Sequence, residues 1–177
     1  GAEFQGGIRV VAVLAPGELL AEDVTGKLRL RYQTLIVATG AHEYQPKEDE
    51  FLYGQNDKIM TQLELAAKME NDELGDPQTA VMIQCVGSRN EENPNCSRIC
   101  CQNAVKNALH IKKDHPDARI FILYRDIRTY GLLEEYYQEA RKRGVIFCRY
   151  TPEEMPEAEV AENGIMVTFR DHVLDRP

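Results

Sequence analysis

The sequence predicts an α/β fold, and three observations carry that prediction. From Thr79 onward, strand-like and helix-like patterns alternate. Before that point lie short β-rich runs separated by turn residues. The apolar fraction of 43% and charged fraction of 28% suit a globular chain, and 177 residues suffice for one core plus a small appendage.

Taken in order, Ile8 to Leu14 is a β-rich run that stops at the turn Ala15-Pro16-Gly17. Lys27 to Arg31 alternates polar and apolar residues, and Thr34 to Ala38 is an apolar run of the kind that forms a buried strand. Together these three predict a small antiparallel unit. Ala41 to Lys58 holds Pro, Gly, Asn and several acids, and is read as a surface connection. Thr61-Gln62-Leu63-Glu64 is a capping box, so a short helix should run from there to about Met69. Asn71 to Gln78 is polar with Gly and Pro, the composition of a linker.

The second half reads as strand Thr79 to Val86, helix from about Ser97 to Lys113, and strand Arg119 to Tyr124. A helix from about Leu132 to Arg143 follows, then strands Val145 to Arg149 and Ile165 to Phe169. Ala104, Val105, Ala108 and Leu109 share one helical face, and Gly144 stands where a C-terminal cap belongs. A β-α-β-α-β succession implies a parallel, Rossmann-like sheet. The expected divisions are 1–46 for the strand unit, 47–78 for a connecting segment with its helix, and 79–177 for the parallel domain.

The formal net charge of −8 argues against a nucleic-acid surface. No stretch has the length of a membrane span, and Gly1-Ala2-Glu3-Phe4 has neither Met nor a signal-peptide shape. That start is read as internal to a longer protein. Five cysteines is an odd number, and four of them crowd between positions 85 and 101. Such clustering without an export signal points to metal or thiol chemistry in a reducing compartment, hence the cytoplasm.

Cys85, Cys96, Cys100 and Cys101 have the spacing C-x10-C-x3-C-C. Cys85 falls at the carboxyl end of a strand, where open parallel sheets place their ligands. The other three surround the expected first turn of the next helix, with Cys96 and Cys100 on one helical face. Unpaired amides at a helix start lower thiol pKa and stabilise an anionic cluster, and Arg89 and Arg98 add positive charge. An iron–sulfur cluster, a structural zinc and a dithiol relay all remain open on spacing. Adjacent cysteines fit a zinc tetrahedron awkwardly. Cys148, alone in mid-strand, is a small buried hydrophobe.

Three further features weigh less. The strand end Ala38-Thr39-Gly40 would allow close approach of a flavin nucleotide, although on spacing alone a simple glycine turn explains it better. Gly87-Ser88-Arg89 has one glycine where a dinucleotide loop needs three, which argues against an ordinary NAD site. Asp126 is read as a strand-end turn residue, and the tyrosines at 136 and 137 as helix packing. His42, His110, His115 and His172 show no ligand spacing.

Four strings in order, ATGAHEYQP, FLYGQNDKIMTQLEL, IQCVGSRNEENPNCSRICC and ILYRDIRTYG, resemble the A subunit of heterodisulfide reductase. That group includes the related A subunit of the quinone-interacting oxidoreductase of sulfate reducers. The match covers about Thr34 to Val145. The resemblance implies a thioredoxin-reductase-like fold, with FAD in one Rossmann unit and a pseudo-nicotinamide domain inserted into it. It also implies electron transfer between FAD and iron–sulfur clusters, in some members with electron bifurcation, alongside other redox subunits. Cys85, Cys96, Cys100 and Cys101 match the family's ligands to a [4Fe-4S] cluster. Thr39 and Gly40 match the strand end that passes FAD, so the strand unit would belong to the flavin domain. The chain carries neither the family's G-x-G-x-x-G loop nor its ferredoxin-type C-x2-C-x2-C-x3-C run. FAD is therefore expected in the parent protein and absent from this chain, whose exposed strands would pair with a second copy. The rival expectation is a non-catalytic, nucleotide-binding-like or docking domain with structural or thiol-redox cysteines.

Overall fold

A computed structural model describes residues 6–47, 50–162 and 164–174, so the opening Gly1-Ala2-Glu3-Phe4 lies outside the described residues. The chain divides into two compact units, residues 1–42 and 43–177.

The first unit is an antiparallel meander of β1 (Arg9–Ala15), β2 (Glu18–Asp23) and β3 (Gly26–Arg31), paired in that order. The β1–β2 turn uses Gly17 at φ 86°, and its carbonyl accepts from the Tyr32 amide at 3.0 Å. Asp23 closes the next turn by accepting from the Thr25 amide and hydroxyl at 2.7 and 2.6 Å. The middle strand β2, which the sequence pattern does not announce, buries Leu19 and Ala21 on one face by period-two alternation. Thr34 to Ala38, expected as the third strand, forms no strand among the described residues, and Ile36 is 83% exposed. A run apolar on both faces needs cover on both faces to become a strand. Nothing described provides it.

The second unit is built on the parallel sheet the sequence predicts, with β4 (Thr79–Ile83), β5 (Arg119–Tyr124) and β6 (Ile146–Arg149) in the order β4-β5-β6. Because the strand order never reverses, right-handed crossovers put both connecting helices on one face. These are α2 (Cys100–Asp114) and α3 (Glu134–Lys142). Ala104, Val105, Ala108 and Ile111 of α2 bury against Met82, Ile120 and Ile122 of the sheet, with Ala140 of α3 in the same core. The opposite face holds Leu123, Cys148 and Tyr150, covered by Val167 and Phe169. Val167 belongs to β8 (Gly164–Thr168), which pairs antiparallel with β7 (Glu157–Ala161) and does not extend the parallel sheet. The hairpin gives the sheet a second apolar cover.

Gly144 caps α3 as expected, at φ 79°, its amide bonding to Arg141 O and the Val145 amide to Ala140 O, both at 3.0 Å. Tyr137 packs edge-on against Phe147, whereas Tyr136 is exposed. No helix among the described residues is long and apolar enough to cross a membrane.

The short helix α1 (Gln62–Glu70) begins with the predicted capping box: Glu64 N donates to Thr61 Oγ1 at 3.3 Å, and Thr61 N donates to Glu64 Oε2 at 2.7 Å. Leu65 and Met69 pack onto the sheet core, and buried Asn107 of α2 donates to Gln62 O and Oε1 at 3.1 and 2.8 Å. The Thr61 amide, its largest influence, holds the Glu64 carboxyl below the usual glutamate range. Since the folded value lies below the unfolded one, this contribution is complete above the ordinary glutamate value. It is lost as pH falls through the folded value. Thr61→Ala is expected to lower unfolding stability by ~1 kcal/mol in urea melts at neutral pH. Glu64→Gln keeps a cap and should flatten the acid side of the stability profile. A Glu64→Gln profile parallel to wild type would contradict that assignment.

Candidate functional site

The site is assembled where β4 ends and α2 begins. After Gln84 the backbone leaves the sheet, and Cys85 takes φ 66°, a left-handed conformation that non-glycine residues adopt at some cost. Arg89 (φ 59°) and Arg98 (φ 61°) do the same, so three residues of this connection are strained. Gly87, at φ 65°, has the Tyr44 ring lying directly over it, leaving no room for a β-carbon. That contact is the use of the single glycine in the Gly87-Ser88-Arg89 string. Tyr44 is held in turn by Glu50, to which its hydroxyl donates at 2.9 Å.

α2 starts at Cys100, three residues later than the sequence suggests. Cys100 and Cys101 therefore occupy its first turn, while Cys96 lies outside the helix, and the expected shared helical face does not exist. Ile99 provides no side-chain cap, so the first-turn amides face the site without one.

Cys85 and Cys101 are buried, Cys96 and Cys100 half-buried, and all are free thiols. The Cys100 sulfur sits among donors. A hydrogen bond from the Cys101 thiol lowers its pKa most, and the Ser97 hydroxyl and the amides of Cys101 and Cys85 add to this against burial. Cys101 is pushed up by the same pairing and by its burial. Its Sγ also lies 3.6 Å from Asp126 O, which competes with the Cys100 sulfur for the one thiol proton. Burial raises Cys85, opposed by Arg89, whose Nη1 reaches Cys85 Sγ at 3.9 Å. Cys96 stands apart, accepting from the Arg98 amide at 3.4 Å. The structure thus gathers three of the four thiols. Among the described residues no three His, Cys, Asp or Glu side chains form a ready metal site.

Asp126 matters more than its sequence position suggests. Arg89 Nη2 donates to it at 2.7 Å, and Arg149 and Arg128 lie 3.9 and 4.0 Å away. Arg125 donates to the Arg89 carbonyl at 2.8 Å. The carboxyl edge of the sheet thus carries three arginines around one carboxylate and a fourth, Arg125, bonded to the first of them, in a chain of formal net charge −8. Sequence spacing hides the grouping because Arg89, Asp126 and Arg149 come from three different strand ends.

Thr39 and Gly40 lie in the first unit, exposed and outside any strand. Gly40 is at φ 69°, and no atom within 4 Å would meet a β-carbon there. Its glycine suits a backbone conformation that L side chains rarely adopt. Cys148 is buried in β6 as expected, and burial raises it to about 11.

Arg89→Met removes the charged hydrogen bond to Asp126 and is expected to cost ~1–2 kcal/mol in chemical denaturation. Arg89→Lys should recover only part, lacking the planar fork. Equal stability of Arg89→Met and wild type would show that the Asp126 pair is a solvated surface contact.

No family model matches the chain. Known relatives do. The chain is 38% identical over 170 residues to the first iron–sulfur A subunit of the CoB–CoM heterodisulfide reductase of Methanopyrus kandleri, covering 85% of this chain and 25% of that protein. It is 39% identical over 153 residues to the A subunit of the H2/formate:CoB–CoM heterodisulfide, ferredoxin reductase of Methanococcus maripaludis, covering 77% and 23%. With the iron–sulfur A subunit of the CoB–CoM heterodisulfide reductase of Methanocaldococcus jannaschii it shares 34% over 175 residues, covering 90% and 26%. The chain spans about a quarter of the length of these relatives. Over the stretch it spans, with a parallel sheet whose carboxyl edge gathers cysteines and arginines, the chain belongs to the heterodisulfide reductase A-subunit family of redox-enzyme subunits.

Proposed function

We propose that this chain is the cluster-bearing stage of an electron relay, with Cys85, Cys96, Cys100 and Cys101 holding a [4Fe-4S] cluster. When bound, the cluster supplies a one-electron acceptor and donor. The observation that carries the reading is the gathering of Cys85, Cys100 and Cys101 at the uncapped start of α2. There, thiolate charge meets amide donors and four arginines. Cys96 lies on the connection between β4 and α2, outside strand and helix.

In this reading the residues divide the work. Cys100, whose thiolate is favoured by its surrounding donors, is the first ligand available to a metal ion. Arg89 spans Cys85 and Asp126, holding the strand end and the β5 edge at fixed separation. Tyr150, buried on the other face, donates to the Gln84 carbonyl and fixes the backbone beside Cys85.

FAD would be held by the parent protein, with Thr39 and Gly40 of the first unit passing one edge of it. Residues 1–46 would then be flavin-domain strands, 47–78 the connection, and 79–177 the pseudo-nicotinamide domain. The natural partners are other redox subunits in the cytoplasm. In isolation the exposed valines of β1, with Val10 and Val13 each 56% exposed, favour pairing with a second copy.

A thiol-redox role is the second reading, favoured by the sulfur-to-sulfur hydrogen bond of Cys100 and Cys101. Anaerobic reconstitution with ferrous iron and sulfide separates the two. The cluster reading expects iron and sulfide bound in equal amount, with broad absorption extending from the blue. Alanine at any of the four cysteines should remove or destabilise it. A colourless protein with accessible thiols would favour the dithiol reading. Purified without added cofactors, the chain should emerge from gel filtration free of stoichiometric FAD; a retained yellow flavin would show a binding site in the chain itself.

A further inference from the structure

Gln84 follows the last residue of β4 and its side chain is buried, the residue being 2% exposed. Its backbone is fully engaged: the amide donates to Leu123 O at 2.9 Å, and the carbonyl accepts from the Tyr150 hydroxyl. Its side-chain Oε1 and Nε2 have no partner among the described residues. Thr129, 3% exposed, likewise has an unpartnered Oγ1. A buried polar group without a partner costs about 1–3 kcal/mol, so such groups are few and each has a reason. Here the only three such atoms among the described residues belong to two side chains beside one site.

The fold says where these side chains point. Ile83 packs with Leu123, Cys148 and Tyr150 on the hairpin face of the sheet. Met82 packs with Ala104, Val105 and Ala108 on the helix face. Strand alternation therefore sends Gln84 to the helix face. A crossover helix runs opposite to its strands, so the carboxyl end of β4, with Gln84 just beyond it, lies towards the end of α2 that carries Cys100 and Cys101. Thr129 approaches from the loop after β5. Its neighbour Arg128 directs a backbone amide at the Cys101 sulfur, and Ile127 packs into the same helix-face core. The segments that carry Gln84 and Thr129 are thus the two that adjoin the thiols starting α2, with neither side chain bonded to a sulfur there.

We propose that Gln84 Nε2 and Thr129 Oγ1 donate hydrogen bonds to the sulfur atoms of the iron–sulfur group held at Cys85, Cys96, Cys100 and Cys101, and so raise its reduction potential. The inference rests on the cluster reading above. Its physics is one-directional: reduction adds negative charge to the sulfurs, so a fixed donor stabilises the reduced form more than the oxidised one. The orphaned groups are then sites prepared for an acceptor that arrives with the cluster, which explains why sequence and fold retain them at a cost to the metal-free protein.

Gln84→Met keeps length and removes the amide; Thr129→Val keeps shape and removes the hydroxyl. Both metal-free variants are expected to be at least as stable as wild type, because each loses an unpartnered buried group. After reconstitution, each should bind the wild-type content of iron and sulfide, with a midpoint displaced to more negative potential in an EPR-monitored redox titration. The double variant should be displaced further. On unmutated protein labelled with side-chain 15N glutamine, pulsed EPR of the reduced cluster should show a 15N coupling, which needs no variant to fold. Full loading with an unshifted midpoint and no 15N coupling would overturn the inference and assign both groups to buried water. Failure of wild type to take up iron and sulfide would sink the cluster reading, and this inference with it.

Discussion

The second unit depends on the close seating of α2 on the parallel sheet. Ala104 and Ala108, both fully buried, let the helix backbone approach Ile120 and Ile122, and Val105 and Ile111 fill the space to either side. Small residues on one stripe bring helix and sheet near enough that the first turn of the helix stands over the strand ends. That approach, more than any property of the cysteines, places Cys100 and Cys101 beside Cys85. A larger residue at Ala104 or Ala108 would lift the helix and separate the thiols without touching one of them.

Electrostatics follows from the same seating. The sheet is parallel, so all three of its carboxyl ends face one edge, and the crossover helix brings its amino end to that edge too. Arg89, Asp126 and Arg149 meet there because each stands at or just beyond the end of a different strand. Asp126 organises the arginines by accepting from Arg89 and lying close to two others. The surrounding charge stays positive, and the thiols at its rim have opposed tendencies: Cys100 towards the thiolate, Cys85 and Cys101 towards the thiol.

Much of this is legible in the sequence, and the exceptions have physical causes. Strand β5, the capping box of α1 and the Gly144 cap are readable because each depends on local residues alone. Thr34 to Ala38 misleads because an apolar run reports how well a strand could be buried, and burial needs partners that the run itself does not encode. β2 escapes notice because its alternation rests on only Leu19 and Ala21 between acids. The start of α2 falls later than spacing suggests: Arg98 adopts a left-handed conformation that sequence spacing cannot reveal, and it cuts Cys96 off from the helix. Within the site, the cysteines announce themselves by density. Asp126 and the unpartnered Gln84 and Thr129 do not, since their roles arise only when separate strand ends are brought together.

The Tyr44 ring over Gly87 gives the chain a mechanical property. Residues 43 and 44 open the second unit and are clamped at once, Glu43 accepting from the Leu63 amide at 3.1 Å and Tyr44 lying against the connection that bears Cys85. Within this unit, displacing residues 43 and 44 would load α1 through Glu43 and the Cys85 loop through Tyr44, so two separate elements share one short lever.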